Sequence, residues 1–378
     1  MIPNPDIYHE ISGEFINLTR NNPRSMLKYM LLGKEPLNAL KSFAARTEFV
    51  YFKVWLNKEY KYDSTCASYQ LIPESSDRPW SDINLRDPYM RQILQWILSF
   101  VKEINVYIYD PLPEYVVDLL LKNPYFKKIE LYECDVSATN RLLGSKRFDS
   151  IKIWPNTIEN LKDTHIDAKD LTLYGISLEK GLGLKITYVN SLTVIDYINN
   201  DRFDSSFLIT SVDPGFQSLE RLKLEIGSLH GSKIDQSVNP QRVLEFLGFV
   251  NMNLVNLKLL EIHLGDYNIE NTIVIHEGNF KISPHSIKSM VDYENELAAY
   301  NGRVKVIFNH KIRFNMRLSS DNAVEDYLKE AKGELKGFEY CPDIKCWGSY
   351  HEFKKFGNIT ENFELNLEIK FEYHKRSQ

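Results

Sequence analysis

The chain has 378 residues, 43% of them apolar, 12% aromatic and 26% charged, the composition of a folded protein with a sizeable core. Its formal net charge of -5, with only scattered basic pairs such as Lys127-Lys128 and Lys354-Lys355, argues against nucleic acid as the partner. Four cysteines, Cys66, Cys134, Cys341 and Cys346, are too few for a disulfide framework and point to a reducing compartment, the cytosol or nucleus.

The opening MIPNPDIYHEISGEF has no basic segment followed by an apolar run, so a signal peptide is not expected. The longest apolar stretch, Ile93 to Val101, is about half a membrane span in length and reads as a buried helix, so no membrane partner is expected.

Residues 1–46 read as two short helices. Ser25 caps the first, which ends at Gly33; Glu35-Pro36 opens the second, with Leu37, Leu40, Phe43 and Ala44 on one face. Two helices this short cannot bury a core of their own, so they are expected to dock as a cap. Thr47 to Leu56 reads as a strand and Tyr60 to Arg86 as a long polar loop. Asp87-Pro88 then starts a helix through Val101, with proline in the first turn, where its missing N–H is not needed.

The organising stretch is Val101 to Leu173. It holds four short alternations, Ile104-x-Val106-x-Ile108, Ile129-x-Leu131, Ile151-x-Ile153 and Leu171-x-Leu173, whose first residues lie 25, 22 and 20 positions apart. One strand per unit with a helical or irregular return is the spacing of a leucine-rich-repeat horseshoe. Helices are expected at 114–122, at 138–143 up to Gly144, and at 192–198, with Ile186-x-Tyr188 and Phe207 to Ile209 as weaker strands. Leu219-x-x-Leu222-x-Leu224-x-Ile226 and Leu257-x-x-Leu260-x-Ile262-x-Leu264 match the L-x-x-L-x-L core of that repeat. Between them, Asn239-Pro240 opens a helix with Val243, Leu244, Leu247 and Val250 on one face.

Beyond Leu264 the pattern changes. A helix is expected from Ser283-Pro284 to Tyr300 and another over 322–332. Strands 304–308 and 312–318 look like a hairpin around Asn309, His310 and Lys311. The closing alternation Phe363 to Tyr373 puts Glu364, Asn366, Glu368, Lys370 and Glu372 towards water and is expected to pair antiparallel with that hairpin. The fold class is therefore α/β: an irregular leucine-rich-repeat-like solenoid with a parallel sheet, an N-terminal helical cap and C-terminal antiparallel strands. The domains read as 1–100 (helical cap, one strand and a long loop), 101–265 (solenoid) and 266–378 (α+β cap).

Signatures of catalysis are missing: there is no G-x-S-x-G, no H-E-x-x-H and no phosphate-binding glycine loop. Gly181-Leu-Gly183 reads as a turn, Cys134 as core packing. Cys341-x-x-x-x-Cys346 with His351, and His374 or His310 as fourth ligand, is the one metal-like spacing. Structural zinc prefers two residues between paired cysteines, so two reduced thiols in a loop is the favoured reading and no cofactor is expected. The chain is read as a non-enzyme. The candidate contact residues are Tyr107, Tyr109, Tyr132, Trp154 and Tyr174, aromatic residues on or beside repeat strands at comparable offsets, a composition suited to a protein interface.

The phrases NPYFKKIELYECDVSATNRLLGS and FQSLERLKLEIG resemble, over residues 90–265, the F-box-associated, leucine-rich-like proteins abundant in nematodes. That resemblance implies a protein partner. In such proteins an N-terminal F-box recruits a ubiquitin-ligase scaffold through the adaptor Skp1, and related ones act as antidotes in toxin–antidote pairs. Residues 1–46 have neither the Leu-Pro start nor the closing Trp of an F-box. A protein-binding scaffold that recruits or neutralises its partner is thus the leading expectation, beside a Skp1-bound substrate receptor, an antidote, and an enzyme without a recognisable motif.

Overall fold

Short runs of alternating apolar and polar residues become strands because alternation lets one face of a sheet be buried while the other meets water. The computed structural model describes residues 28, 31–38, 49–53, 68–72, 95, 98–99, 103–107, 114–132, 136–154, 161, 164–175, 185–197, 214–227, 240–274, 294–317, 328–329, 331–333, 335–345 and 348–374. It is an α/β protein that divides into two compact units: Met1–Leu171 with Gly183–Tyr188, and Thr172–Leu182 with Val189–Gln378.

The first unit contains β1 (Phe49–Lys53), β2 (Ser68–Ile72), β3 (Glu103–Tyr107), α1 (Glu114–Lys122), β4 (Lys128–Leu131), α2 (Val136–Ser145), β5 (Phe148–Ile153) and most of β6 (His165–Tyr174). The strand order is β6-β5-β4-β3-β1-β2, with β1, β3, β4 and β5 parallel and β2 antiparallel on β1. Ile129 and Leu131 of β4 stand opposite Ile151 and Ile153 of β5, and all four are buried. With Val116, Val117 and Leu120 of α1 and Leu142 and Leu143 of α2, they form the core. Phe126 and Phe148, fully buried, meet edge to face at 5.3 Å where the turn into β4 passes the start of β5.

The second unit contains most of β7 (Lys185–Tyr197), a 3₁₀ turn (Pro214–Ser218), β8 (Arg221–Gly227), α3 (Pro240–Asn253), β9 (Leu259–Val274), β10 (Lys305–Arg317), β11 (Glu339–Lys345), β12 (Gly348–Thr360) and β13 (Phe363–His374). Its strand order is β11-β12-β13-β10-β9-β8-β7. The strands β7, β8, β9, β10 and β13 are parallel, and β11, β12 and β13 form antiparallel pairs at one end. Leu222, Leu224, Ile226, Leu260, Ile262 and Leu264 are all buried, as the L-x-x-L-x-L pattern predicts.

One local device recurs in both units. Before a strand the chain makes a tight turn in which an N–H bonds to the carbonyl three residues earlier. It is found at Thr164 to Leu161, Leu219 to Phe216, Leu257 to Leu254, Tyr300 to Leu297 and Phe338 to Leu335. The first residue of each turn is buried in the core, so the turn pins the strand start while burying a side chain. A cation reaches the carbonyls at two helix ends. Lys146 donates to the Leu120 and Asn123 carbonyls at 3.4 and 3.2 Å, and Arg303 Nη1 to the Leu257 carbonyl at 2.8 Å. Such donors satisfy carbonyls that a helix leaves orphaned at its C-terminal end. At Gly302 a Cβ would collide with the ends of the Asn251 and Tyr300 side chains, so a larger residue there would have to displace them.

Five expectations are corrected. The hairpin at 304–318 is one continuous strand, β10: Val306, Phe308 and His310 are buried in strict alternation, so the polar Asn309-His310-Lys311 is not a turn. Accordingly β13 pairs parallel with β10, and its antiparallel partner is β12. The helix expected at 192–198 is strand as far as Tyr197, where β-branched Thr193, Val194 and Ile195 follow the alternation of buried Leu192 and Val194. The loop expected over 60–86 contains β2, and α2 runs through Gly144, whose missing side chain faces open space. Leu40, Phe43, Ala44, Cys66, Cys134, Cys346, the strand at 207–209 and most of the helices at 283–300 and 322–332 lie outside the described residues.

Candidate functional site

Val106, Leu131 and Ile153 share a register position on β3, β4 and β5, and each is followed in the chain by an aromatic residue. Those residues are Tyr107, Tyr132 and Trp154, three of the five aromatic candidates. Tyr132 and Trp154 stack with ring centroids 4.9 Å apart and planes 23° from parallel, both half-buried. They lie on the face opposite buried Leu131 and Ile153, as alternation requires. The Trp154 amide is fixed by a 2.9 Å bond to the Leu131 carbonyl, which carries the ladder one residue past the strands.

Beneath the ring pair sits a carboxylate that sequence reasoning passed over. Glu130 is two residues before Tyr132, on the same face, and only 7% exposed. Trp154 Nε1 donates to its Oε1 at 3.2 Å, and Lys152 Nζ lies 3.7 Å from its Oε2. A buried carboxylate needs such partners. Here they also restrict the indole to one orientation. The only sequence signal was the polar alternation Lys128-x-Glu130 beside Ser150-x-Lys152, which becomes a contact once the parallel register is known.

Tyr109 lies outside the described residues. Tyr174, half-buried, ends β6 and falls in the second unit; there Gly175 leaves the strand at a φ of 60° and donates to the Ile195 carbonyl at 2.6 Å. The structure thus stacks two of the candidates, places Tyr107 at the end of β3, and puts Tyr174 in the second unit.

The second unit's sheet carries a row of linked polar side chains on its half-exposed face. Glu261 Oε2 stands 3.3 Å from His263 Nε2, which is 3.4 Å from Asn309 Nδ2. Asn366 Nδ2 donates to Asn309 Oδ1 at 2.9 Å and to Glu364 Oε1 at 3.0 Å. At the end of that row Phe356 is 60% exposed, its Cα partnered with Asn366. Lys223 and Glu225 form a further pair at 2.5 Å. Each carboxylate named here has a polar or charged neighbour within the row.

Titratable groups on the opposite, buried face have structural surroundings. Burial pushes His310 down to about 3, so it is a neutral side chain packed edge to face on Phe308. Burial and the Lys332 charge also lower His351, whose Nδ1 is 2.6 Å from the Tyr340 hydroxyl. Burial raises Tyr300, whose hydroxyl donates to the Val304 carbonyl at 2.7 Å. In the first unit, burial and nearby Lys127 bring Lys146 down to about 8; its ammonium lies 4.3 Å above the Phe126 ring.

The metal-like spacing places Cys341, a free thiol, opposite Glu352, and His351 opposite Pro342 in the β11–β12 ladder. His310 is in the core, and His374 ends β13 opposite Arg317. Among the described residues no group of three or more His, Cys, Asp or Glu is placed to hold a metal ion. Nor, among them, is any helix long and apolar enough to cross a membrane.

Comparison of the chain with protein-family models, with curated proteins and with solved structures finds no match. The reading of function therefore rests on the residues themselves.

Proposed function

We propose that this chain is a non-catalytic protein-binding scaffold, a leucine-rich-repeat-like solenoid that recruits or neutralises a partner protein in the cytosol or nucleus. The supporting observation is the stacked Tyr132–Trp154 pair, held by Glu130. Large aromatic side chains with restricted rotamers contribute most per residue to protein interfaces, since little conformational entropy is left to lose. Tyr109 and Tyr174 belong to the same proposed contact set. The recurring strand-start turn supports the repeat reading, because one local solution is used before β6, β8, β9, β10 and β11.

The test is affinity purification with mass spectrometry, wild type against Trp154→Ala and Tyr132→Ala. Loss of a central aromatic anchor is worth ~2 kcal/mol or more, so capture of the true partner should fall about 30-fold. Met252→Ala, at a position 74% exposed in the other unit, serves as control. Met252→Ala should melt close to wild type, while Trp154→Ala, which takes a donor from buried Glu130, should melt lower, so capture is compared at a temperature where every variant is folded. Undiminished capture by both aromatic variants would remove this surface from the reading. Capture of Skp1 by wild type, abolished on deleting residues 1–46, would turn the scaffold into a ligase substrate receptor.

A further inference from the structure

Three strands at the antiparallel end of the second unit carry an aromatic stack that leads from the surface into the core. Lys332 Nζ lies 3.9 Å from the centroid of the Tyr340 ring on β11. That ring packs on Phe353 of β12, its Cα partner, at 5.1 Å, and Phe353 meets Phe371 of β13 edge to face at 5.8 Å. His351 of β12 stacks on Tyr340 too, with ring planes 13° from parallel. The Tyr340 hydroxyl stands 2.6 Å from His351 Nδ1. Lys332 is exposed and Tyr340 half-buried, whereas His351, Phe353 and Phe371 are buried.

The strand that Tyr340 anchors has little else at that place. β11 ends the sheet, with β12 as its neighbour among the described strands. Pro342 is the Cα partner of His351, and proline has no N–H to give to a ladder. The phenol–imidazole bond is therefore a side-chain tie beside the proline position, and it depends on the charge of the ring. A neutral imidazole has one lone-pair nitrogen; with Nδ1 in that role, the Tyr340 O–H donates to it. An imidazolium has two donors and no acceptor. It can offer only its own N–H to the phenol oxygen, and the O–H must turn elsewhere.

We propose that β11 is a proton-released edge strand: neutral His351 holds it to β12 through the Tyr340 hydroxyl, and a proton on the imidazole lets it peel away. The residues that share the register phase of His351 give that proton no carboxylate. They are Tyr340 and Pro342 on β11, Phe353 on β12, and Ile369, Phe371 and Tyr373 on β13. Lys332, above the Tyr340 ring, adds a like charge. Cys341 and Asp343 of β11, Glu352 of β12, and Lys370 and Glu372 of β13 occupy the alternate register positions. Burial, and then the Lys332 charge, accordingly hold His351 below the ordinary histidine value. Release bares the β12 edge, a row of N–H and C=O groups ready to pair with another strand.

The sign follows from linkage. The docked strand depresses His351, so the released strand binds the proton more tightly. The stabilisation is complete above the ordinary histidine value and is lost as pH falls through the depressed one. Hydrogen exchange read by mass spectrometry on the full chain tests this, with the amides of Glu339–Lys345 compared with those of Phe363–His374. Corrected for its intrinsic pH dependence, exchange in β11 should accelerate as His351 takes up its proton, by up to about tenfold for each unit of depression, while β13 stays protected. His351→Phe keeps a ring but has no proton to gain, so its β11 profile should be flat. Lys332→Met, at an exposed position, should move the His351 imidazole titration, followed by NMR, and the β11 release together to higher pH. A β11 that exchanges in step with β13 at every pH, or a β11 profile that either variant leaves unchanged, would overturn the release.

Discussion

Replacing Leu260 by alanine is expected to cost ~2–5 kcal/mol of unfolding free energy in a urea titration. Leu260 is fully buried in β9, with Leu222 of β8 and Val306 of β10 as its Cα partners, both buried as well. Truncation removes three carbon atoms from a site whose backbone is hydrogen-bonded to a strand on each side, so the sheet cannot close over the space. Both terms of a core deletion, lost transfer energy and residual cavity, then apply. Leu260→Met, which conserves volume, should cost less than about 1.5 kcal/mol. Lys258→Ala, on the exposed residue two positions earlier, should remain within about 0.5 kcal/mol. A loss below that level at Leu260 would mean that the L-x-x-L-x-L pattern does not mark the core there.

The same residues explain why parts of this fold could be read in advance. Leu222, Leu260 and their neighbours announce strands by period alone, and each such strand is buried on the face the period names. Alternation proved more reliable than polarity. Asn309-His310-Lys311 looks like a turn by composition, yet His310 keeps the phase of Val306 and Phe308 and is buried with them. Leu192 to Tyr197 carries helix-compatible spacing, but three consecutive β-branched residues favour the strand that forms.

The site divides along the same line. Tyr132 and Trp154 could be picked out because equal offsets from successive strands become equal register positions. Glu130 beneath them could not, because its contact with Trp154 depends on a register that one slipped residue would abolish.

Asn123 supplies the second large effect. Asn123→Ala is expected to destabilise the first unit by about 2–4 kcal/mol, because it strands buried backbone groups rather than only emptying space. The side chain is 3% exposed and works in two directions. Its Nδ2 donates to the Leu98 carbonyl at 2.8 Å, and its Oδ1 accepts from the Tyr125 and Phe126 amides at 2.7 and 3.3 Å. It therefore ties the segment before β3 to the turn that starts β4. The equivalent turn before β9 has Leu254 in that place, fully buried, and the tie is made instead by Asn251, whose Oδ1 accepts from the Arg303 and Val304 amides at 3.1 and 3.3 Å. Asn123→Leu should therefore be no milder than alanine, since leucine fits a turn built for it but leaves the Leu98 carbonyl without its donor. Asn123→Asp offers both a donor and an acceptor only while protonated, so it should lie closest to wild type below the carboxylate range and lose stability as pH rises and an ionised oxygen faces the Leu98 carbonyl. Chemical denaturation of the four proteins decides the matter. A leucine variant as stable as wild type would reduce Asn123 to a space-filling residue and dissolve the link between Leu98 and the β4 turn.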